Sequence, residues 1–484
     1  MSNIPSPRPA ITLEHVWVAA VLALILIGPL VTPVPPNDLW FHVATGQRMV
    51  AEGAVPATDS FSYTRAGQPF ANQPWLAQLL LYGLNALGGV PLLLVAHALT
   101  LLLAYGLLLR LCLRRSPRLR VVVPVFLAAL PVSFPDWNIR PQTFVFPLFA
   151  AFLYVLTAYR LGWFRRLWLL PPLMALWVNL HGSFPLGLAL LGATFVGTLL
   201  RRDEAGGPPL PLLGWGAATA LATLANPSGL GVLAYVRNLT SNSAVTQLVS
   251  EWAAPTVRNP GGLIFFAFLI VGGLVLIYSP RKPDLTDWLM ALPLLWMSLS
   301  ASRNTVWFAF VAVPLVVRAA ARPLAEDEPA AASGSSLANG AIVAMLGLAV
   351  LLCLPWVKPL WMAGPQGQLL KHTPVAAVAW LRQQPDRPQR LYHTEAYGSY
   401  LDYAAPEQKV FIDTRIELYP FEQWADHLAL SGGHDVQALI DKYQLDGMLL
   451  SKEQQGPLIK QMRAMPGWQQ QYEDDEAIYF RRRP

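Results

Sequence analysis

Residues 35–88 read PPNDLWFHVATGQRMVAEGAVPATDSFSYTRAGQPFANQPWLAQLLLYGLNALG and separate the first two long apolar runs of the chain. The stretch is acidic and aromatic, although only 13% of the 484 residues are charged. Asp38 comes a few residues after the first apolar run, so we expect its carboxylate at the membrane surface, where it can meet the head group of a lipid-borne substrate. The same residue suits the N-cap of a helix that starts at LWFHV, and spacing alone leaves both interpretations open.

The rest of the chain has the composition of a membrane protein. Hydrophobic residues make up 54% of it and tryptophan occurs 17 times, which is far from the balance of soluble domains. The two cysteines, Cys112 and Cys353, lie at or within apolar runs, which argues against a disulfide framework. The net charge of +6 comes mainly from arginines in short loops, without the motifs of nucleic-acid binding. The first apolar run, ending at Val34, lacks a clear cleavage site and is predicted to be a retained signal-anchor helix.

We predict a membrane all-α bundle of about eleven transmembrane helices in residues 1–361 and a soluble α/β domain in residues 362–484. Residues 38–53 are expected to form an amphipathic surface helix. Residues 74–87 are apolar but too short to cross a hydrocarbon core of about 30 Å, so they are placed in the interface plane. The predicted spans are 13–34, 90–112, 119–135, 142–160, 166–180, 183–200, 209–225, 261–279, 285–300, 304–320 and 339–357.

Basic residues in the loops set the expected orientation, because loops rich in lysine and arginine stay in the cytoplasm. A cytoplasmic N-terminus gathers most loop cations on the inner side and leaves the C-terminal domain outside. Residues 322–338 then form a flexible inner linker. The inner cations are Arg114, Arg115, Arg118, Arg120, Arg165, Arg166, Arg201, Arg202, Arg281, Lys282, Arg318 and Arg322.

A few polar residues stand out on the expected outer side. Arginine makes bidentate contacts with phosphate, so several arginines on the face of Asp38 favour an anionic ligand, whereas a single one is explained by contact with lipid head groups. His181 in NLHGSF suits a turn histidine as well as a proton carrier, and Glu251 in SEWAAP suits an interfacial anchor. The outer arginines are Arg140, Arg237, Arg258 and Arg303.

Common catalytic and nucleotide-binding motifs are missing from the sequence. No pair of histidines or cysteines has zinc-ligand spacing. There is no Walker motif, no Rossmann glycine pattern and no nucleophile elbow. Soluble nucleotide chemistry therefore has no support.

Residues 364–484 alternate short apolar strands with helices, which predicts a small α/β domain with a largely parallel sheet. Asp413 and Arg415 follow the predicted strand KVFID, at the carboxyl end where α/β sheets bind ligands. A turn-stabilising ion pair explains the same two residues more simply. The other predicted strands are RLYHT, DGMLLS, WQQQYED and AIYFRRR, and the predicted helices are TPVAAVAWLRQQ, PFEQWADHLAL, DVQALIDKYQ and PLIKQMRAM.

The order of one membrane helix, an outer loop opening on aspartate, an amphipathic helix and an aromatic apolar piece resembles the GT-C superfamily. Its members are polytopic glycosyltransferases that use polyprenyl-phosphate sugars, including protein mannosyltransferases and aminoarabinose transferases. The resemblance spans nearly the whole chain and is most specific for uncharacterised bacterial members. It is carried by Asp38-Leu39-Trp40-Phe41-His42, Ala44-Thr45-Gly46, Gly53, Pro56, Asp59, Phe61, Ser62, Arg140-Pro141-Gln142, Asn179-Leu180-His181-Gly182, Glu251-Trp252, Asp413 and Arg415.

The resemblance implies that Asp38 is the catalytic base, because GT-C enzymes carry an acidic residue at this place. It implies a donor phosphate site around Arg140, completed by Arg303 or Arg258. The other residues expected to bind substrate are His42, Asp59, Gln142, His181, Glu251, Asp413 and Arg415.

The chain also departs from characterised GT-C members. Leu39 follows Asp38 where many have glutamate, and Asn72-Gln73 stand where some relatives have a basic residue that contacts the donor phosphate. Asp136 is the counterpart of a second acidic residue of the family. These departures leave the donor type and the use of a divalent cation open.

The expected partners are a polyprenyl-phosphate-sugar donor, an extracytoplasmic acceptor and the lipid bilayer, with no nucleic acid. The expected location is the bacterial inner membrane. Two other classes compete, a transporter of lipid-linked glycans and a non-catalytic envelope scaffold with a GT-C-derived fold. A transporter predicts polar residues deep in the helices and inverted repeats, and the sequence shows few of the former and no clear repeat. A cavity lined by both Asp38 and an arginine would favour the enzyme.

Overall fold

The computed structural model describes residues 11–200, 206–241, 247–248, 250–321, 335–364 and 367–483. Three of the predicted inner cations, Arg201, Arg202 and Arg322, lie outside the described residues, as does most of the predicted linker, residues 322–334. The described chain is helical up to residue 361. Its helices are α1 Leu13–Val31, α2 Leu39–Glu52, α3 Trp75–Arg115, α4 Leu119–Ala129, α5 Phe146–Arg160, α6 Leu170–Leu180, α7 Pro185–Leu200, α8 Pro209–Ala222, α9 Gly231–Ser241, α10 Pro260–Tyr278, α11 Leu285–Ser300, α12 Thr305–Ala320, α13 Ser336–Leu352 and α14 Lys358–Trp361.

The described helices make the chain a multi-pass membrane protein. Six helical segments have the length and composition to cross a bilayer, and five shorter apolar helices accompany them. The predicted spans 119–135 and 142–160 agree with the structure to within one residue, because the 3-10 segments Leu130–Asp136 and Pro141–Val145 extend α4 and precede α5. The predicted ends of 13–34 and 209–225 lie about one turn too late. The last predicted span, 339–357, is displaced, since the Ser335 hydroxyl caps α13 and starts it inside the predicted linker. The stretch between the predicted spans 209–225 and 261–279 contains α9.

Aromatic rings fill the middle of the bundle. Phe149 lies between Trp307, at 5.0 Å between ring centroids, and Phe310, at 5.8 Å. All three are almost fully buried. Such edge-on and tilted contacts stabilise a core beyond the area they bury.

The end of the bundle that the sequence predicts to face the cytoplasm is held by a cluster of buried charges, which we call the inner ion cluster. Arg160 donates to Asp284 at 2.7 Å and to Asp287 at 2.8 Å, and Arg115 donates to Asp287 at 3.1 Å. Arg318 completes it at 3.0 Å from Asp287. The cluster joins the ends of α3, α5 and α12 to the start of α11. Two of the predicted inner cations, Arg115 and Arg318, therefore form structural ion pairs, and Arg160, from the end of a predicted span, joins them.

Helix α3 bends after its first three turns. Gly88 and Gly89 leave helical geometry, and Gly89 has φ of 60°, a conformation that favours glycine. The apolar piece 74–87 thus does not end at Gly88, as predicted, but continues into the next span through a bend at Gly88 and Gly89. The first part of α3 packs against α2, where a Cβ on Gly46 would lie 2.2 Å from the Gln78 carbonyl oxygen. Glycine at position 46 allows the two helices to approach this closely.

The C-terminal domain contains a four-stranded sheet of order β1-β2-β4-β3, with β1 Leu391–His393, β2 Gly447–Ser451, β3 Trp468–Glu473 and β4 Ala477–Arg482. The strand β1 is parallel to β2, whereas β4 is antiparallel to both of its neighbours. The prediction of a largely parallel sheet is wrong, because three residues between β3 and β4 permit only a hairpin. The helices of the domain are α15 Val375–Gln383, α16 Glu395–Ala404, α17 Phe421–Ser431, α18 Val436–Tyr443 and α19 Gly456–Ala464.

The segment KVFID is not a strand of this sheet, contrary to prediction. It pairs with the first outer loop instead, through an isolated bridge between Ser62 and Val410. The amide of Tyr63 donates to the Val410 carbonyl at 3.0 Å, and the Val410 amide donates to the Phe61 carbonyl at 3.2 Å. The outer loop therefore packs directly against the C-terminal domain.

Helix α16, which the sequence analysis missed, fastens the start of α2 to the same domain. Its Ser399 hydroxyl donates to the Asn37 carbonyl at 2.8 Å and accepts from the Phe41 amide at 2.9 Å. Trp40 stacks on Tyr403 at 4.9 Å and meets Tyr400 edge-on at 5.3 Å. These contacts fix α2 between the bundle and the C-terminal domain.

Candidate functional site

A cavity of about 590 Å³, the outer cavity, opens among the ends of the helices, the first outer loop and the C-terminal domain. Residues from opposite ends of the sequence meet here, as the resemblance implied. Eight of the ten predicted site residues line it: Asp38, His42, Arg140, Gln142, His181, Glu251, Arg303 and Arg415. The other two, Asp59 and Asp413, are not in its wall.

Asp38 occupies the N-cap position of α2 but makes no capping hydrogen bond with its side chain. The Asn37 side chain accepts from the Leu39 amide instead, at 3.0 Å. The Asp38 carboxylate forms part of the cavity wall with 30% of its side chain exposed, and Oδ2 lies 3.8 Å from Nε2 of His42. The predicted N-cap position of Asp38 is therefore confirmed, but its side chain does not cap the helix, and the carboxylate remains available to a ligand.

The charge state of Asp38 follows from its surroundings. Burial disfavours the carboxylate, but the His42 imidazole and the guanidinium groups of Arg140 and Arg303 outweigh it and hold the pKa of Asp38 below its ordinary value of 3.8. Asp38 is consequently ionised at neutral pH. An ionised carboxylate in a cavity wall can accept a proton from a bound hydroxyl or amine.

His42 lies one helical turn after Asp38 and is oriented by α3. The side-chain amide of Gln78 donates to Nδ1 of His42 at 3.1 Å, which leaves Nε2 to carry the ring hydrogen toward Asp38. Gln78 is fully buried. The close approach of α2 and α3 at Gly46 is what brings this amide within reach.

Two arginines stand side by side in the wall formed by the bundle, and we call them the arginine pair. Nη1 of Arg140 lies 2.9 Å from Glu251 Oε2, and Nη1 of Arg303 lies 3.0 Å from Oε1 of the same carboxylate. Arg303 also donates to Gln142 at 3.3 Å and lies over the Trp252 ring at 4.9 Å. The pair presents guanidinium groups in a geometry suited to oxyanions.

Arg140 is charged under all ordinary conditions. Burial alone would lower its pKa, but Glu251, Asp38 and Asp136 raise it above the usual value. Asp136 is buried 3.8 Å from Nη2 of Arg140 and does not line the cavity. Asp136, which the resemblance implied to be a second acidic residue of the site, thus lies beside an arginine and not in the cavity wall.

Arg415 borders the outer cavity, and two buried aspartates hold it there. Its guanidinium donates to Asp59 at 2.6 Å and to Asp413 at 2.9 Å, and Tyr419 donates to Asp413 at 2.8 Å. The expectation of direct substrate contact for Asp59 and Asp413 is corrected accordingly, because Arg415 takes up both carboxylates. The guanidinium is surrounded by three rings at 4.9 to 5.3 Å, those of Phe41, Phe61 and Phe70.

His181 lies in the turn between α6 and α7. Its Nδ1 accepts from the Ser183 amide at 3.2 Å and lies 2.9 Å from the Ser183 hydroxyl. Burial and the charges of Arg303 and Arg140 lower the pKa of His181 to about 3. The ring is neutral at pH 7, which favours the turn interpretation over proton transfer.

Solved structures share this architecture. The oligosaccharyltransferase AglB from Archaeoglobus fulgidus, solved with an inhibitory peptide and a dolichol-phosphate, matches at a TM-score of 0.56 and 12% identity over 91% of this chain and 69% of its own. ArnT from Cupriavidus metallidurans, solved with undecaprenyl phosphate, matches at 0.50 and 14% identity over 96% of this chain and 97% of its own. The chain has the GT-C fold. No protein-family model and no curated protein matches the sequence.

The GT-C fold here includes an acidic wall from the C-terminal domain that sequence reasoning missed. Glu395 lines the cavity and accepts from Nε2 of His427 at 3.1 Å, and this contact holds the pKa of Glu395 below its usual value against the effect of burial. Glu417 lines it too, and burial raises its pKa. Glu395 lies just after the carboxyl end of β1. Sheets of α/β domains bind ligands at the carboxyl ends of their strands, so the same rule that pointed to Asp413 and Arg415 after KVFID points to Glu395 when it is applied to β1.

The remaining outer arginines do not belong to this site. Arg258 is exposed at the start of α10, and neither it nor Arg237 lines the cavity. The alternative phosphate contact expected from Arg258 is therefore wrong, while Arg303 is present. What distinguishes Arg303 is its place at the end of α11, opposite the inner ion cluster.

The described residues do not form a recognisable binding site for a divalent cation. No three histidine, cysteine, aspartate or glutamate side chains of these residues lie together in a manner that could hold a metal ion. Asp38 faces His42, and Glu251 is taken up by the arginine pair.

Proposed function

We propose that this protein is a membrane glycosyltransferase that moves a sugar from a polyprenyl-phosphate donor to an extracytoplasmic glycan, lipid or protein acceptor. The observation that carries the proposal is that Asp38 and the arginine pair line one cavity between the bundle and the C-terminal domain. A base and an oxyanion site on one chamber are the two requirements of such a transfer.

The proposed reaction is a single inverting displacement at the anomeric carbon. The acceptor oxygen or nitrogen attacks this carbon while Asp38 takes its proton. The bond from the carbon to the phosphate oxygen breaks, and its electron pair leaves with the polyprenyl phosphate. Arg140 and Arg303 stabilise the negative charge that grows on this phosphate, and His42 orients Asp38.

Two solved relatives of the fold support the choice of donor. ArnT was solved with undecaprenyl phosphate and AglB with a dolichol-phosphate, both lipid phosphates of the polyprenyl type. Their identity to this chain is low, so we take from them the class of ligand and no residue assignment. The acidic wall of Glu395 and Glu417 faces the cavity from the C-terminal domain, where we place the acceptor.

The proposal includes an orientation. We place the N-terminus in the cytoplasm, the outer cavity and the C-terminal domain outside the bacterial inner membrane, and about eleven crossings between them. The separation of charges supports this arrangement, because the inner ion cluster and the arginine pair lie at opposite ends of the same helices. Labelling of single cysteines placed in the C-terminal domain of intact cells tests it.

The direct experiment is incubation of the purified protein with a panel of radiolabelled polyprenyl-phosphate sugars and cell-envelope acceptors. Transfer by the wild type and its loss in Asp38→Asn are expected, since general base catalysis contributes about 10²- to 10⁴-fold. Unchanged transfer by a folded D38N protein would remove Asp38 as the base. Binding of undecaprenyl phosphate without transfer of any sugar would favour the scaffold or transporter.

A further inference from the structure

The arginine pair is already occupied by a side chain of the protein itself. Glu251 accepts a hydrogen bond from Arg140 at 2.9 Å, and its other carboxylate oxygen forms an ion pair with Arg303 at 3.0 Å. Gln142 contacts Arg303 and Asp136 lies near Arg140, so within the described residues Glu251 is the acidic group that bridges both. A carboxylate with two oxygens reproduces the way in which a phosphate would bridge the same pair.

An entering phosphate therefore has to replace Glu251. Guanidinium N–H groups that point at Glu251 cannot also point at a phosphate oxygen, and two adjacent anions repel each other. The exchange breaks one charge-assisted hydrogen bond and one further ion pair before new contacts form. Any phosphate ligand is weakened by this competition to a similar degree.

The arginines are held without Glu251, so the exchange leaves the site intact. Arg303 keeps its hydrogen bond to Gln142 and its stacking on Trp252. Arg140 keeps its proximity to Asp136. Glu251 itself lies on the short 3-10 segment Ser250–Trp252 with 31% of its side chain exposed, which gives the carboxylate room to turn away.

Competition of this kind matters in a membrane, because phospholipids are present in large excess and each carries a phosphate. Resting on the function proposed above, we propose that Glu251 is an internal counter-ion that fills the arginine pair in the unliganded protein and lowers its affinity for the phosphates of ordinary phospholipids. A polyprenyl-phosphate sugar displaces it because its sugar and tail make further contacts in the cavity. This role replaces the sugar contact that the resemblance implied.

The test measures lipid binding to the detergent-purified protein by native mass spectrometry, with undecaprenyl phosphate and phosphatidylglycerol as probes. In Glu251→Gln we expect the apparent Kd for phosphatidylglycerol to fall about tenfold or more, because the variant removes the competing charge. Binding of undecaprenyl phosphate should tighten as well. Equal or weaker binding of both probes in E251Q would overturn the proposal and assign Glu251 the task of orienting the arginines.

Two controls separate this inference from the proposed function. Asp475→Asn removes one negative charge from the exposed surface of the C-terminal domain, outside the cavity, and it should change phosphatidylglycerol binding less than about twofold. In the double variant E251Q/R140Q the gain should disappear, whereas its persistence would place the lipid elsewhere and refute the proposal. If R140Q alone leaves undecaprenyl phosphate binding unchanged, the proposed phosphate site fails; if R140Q abolishes binding but E251Q gains nothing, this inference alone fails.

Discussion

The two ends of the helical bundle carry the same chemistry with different consequences. At the inner end Arg115, Arg160 and Arg318 surround Asp284 and Asp287, whereas at the outer end Arg140 and Arg303 share Glu251. Asp287 has 2% of its side chain exposed, but Glu251 has 31% and borders a cavity. A cluster of arginines and carboxylates does not by itself identify a functional site. The clusters differ in whether a ligand can reach them from a cavity, and only the outer one is accessible in this way.

The largest effect is expected at the inner end. Replacing Asp287 by Asn removes the buried negative charge that three arginines share. Breaking a buried ion pair lowers the free energy of unfolding by about 3–5 kcal/mol. We expect D287N to lower the midpoint of thermal unfolding in detergent strongly, with little change for E251Q. Similar midpoints for the two variants would show that the two ends do not differ in this way.

At the outer end, substitutions should lower the transfer activity more than the thermal stability. Arg140→Gln removes a donor to the departing phosphate, which is expected to lower the transfer rate about 10²- to 10³-fold while thermal stability stays near that of the wild type. Radiolabel transfer measures the rate. Arg258→Gln serves as the matched control, because Arg258 is an exposed arginine of the same side and should be silent.

Arg415 combines the properties of both ends. It is paired with buried aspartates as the inner arginines are, yet it borders the outer cavity beside Phe41 of α2. Replacement by Lys keeps the charge but loses the planar fork, and we expect a loss of about 1–3 kcal/mol in stability together with reduced transfer. An unfolding midpoint equal to that of the wild type would contradict the structural part of this role.

The smallest effect concerns the pH dependence. The pKa of Asp38 lies below 3.8, so the base stays ionised and transfer should persist until the pH falls below that value. Arg303→Gln removes one of the positive charges that depress this pKa and should move the acid limb of kcat/KM upward by about one pH unit or less. If the acid limb does not move in R303Q, the charge of Arg303 does not lower the pKa of Asp38, and the prediction is contradicted.

Much of the outer end was predictable because local signals were strong there. Asp38 opens an amphipathic segment after an apolar run, and Arg140 and Arg303 break the rule that gathers cations inside. The sequence could not show that Arg160 and Asp287 would pair, because burial of inner-loop charges depends on how the helix ends converge. Nor could it distinguish Arg258 from Arg303, since both are single outer arginines.

The C-terminal domain shows a second limit of prediction from sequence, which concerns the pairing of strands. KVFID has the composition of a strand, but its hydrogen-bonding partner is the loop around Ser62, which is more than three hundred residues away. Strand propensity describes a side-chain pattern and not the identity of the neighbour. The acidic residue Glu395 was overlooked for the same reason, since its role depends on which strand end faces the bundle.

The contact between the Phe41 amide and Ser399 spans 358 positions of the chain. A ribosome that has released the first outer loop must still add more than three hundred residues before that loop receives its partner. The helices can enter the bilayer one after another, but the chamber is completed last. We therefore expect truncated forms of this protein to insert into the membrane and still lack a site.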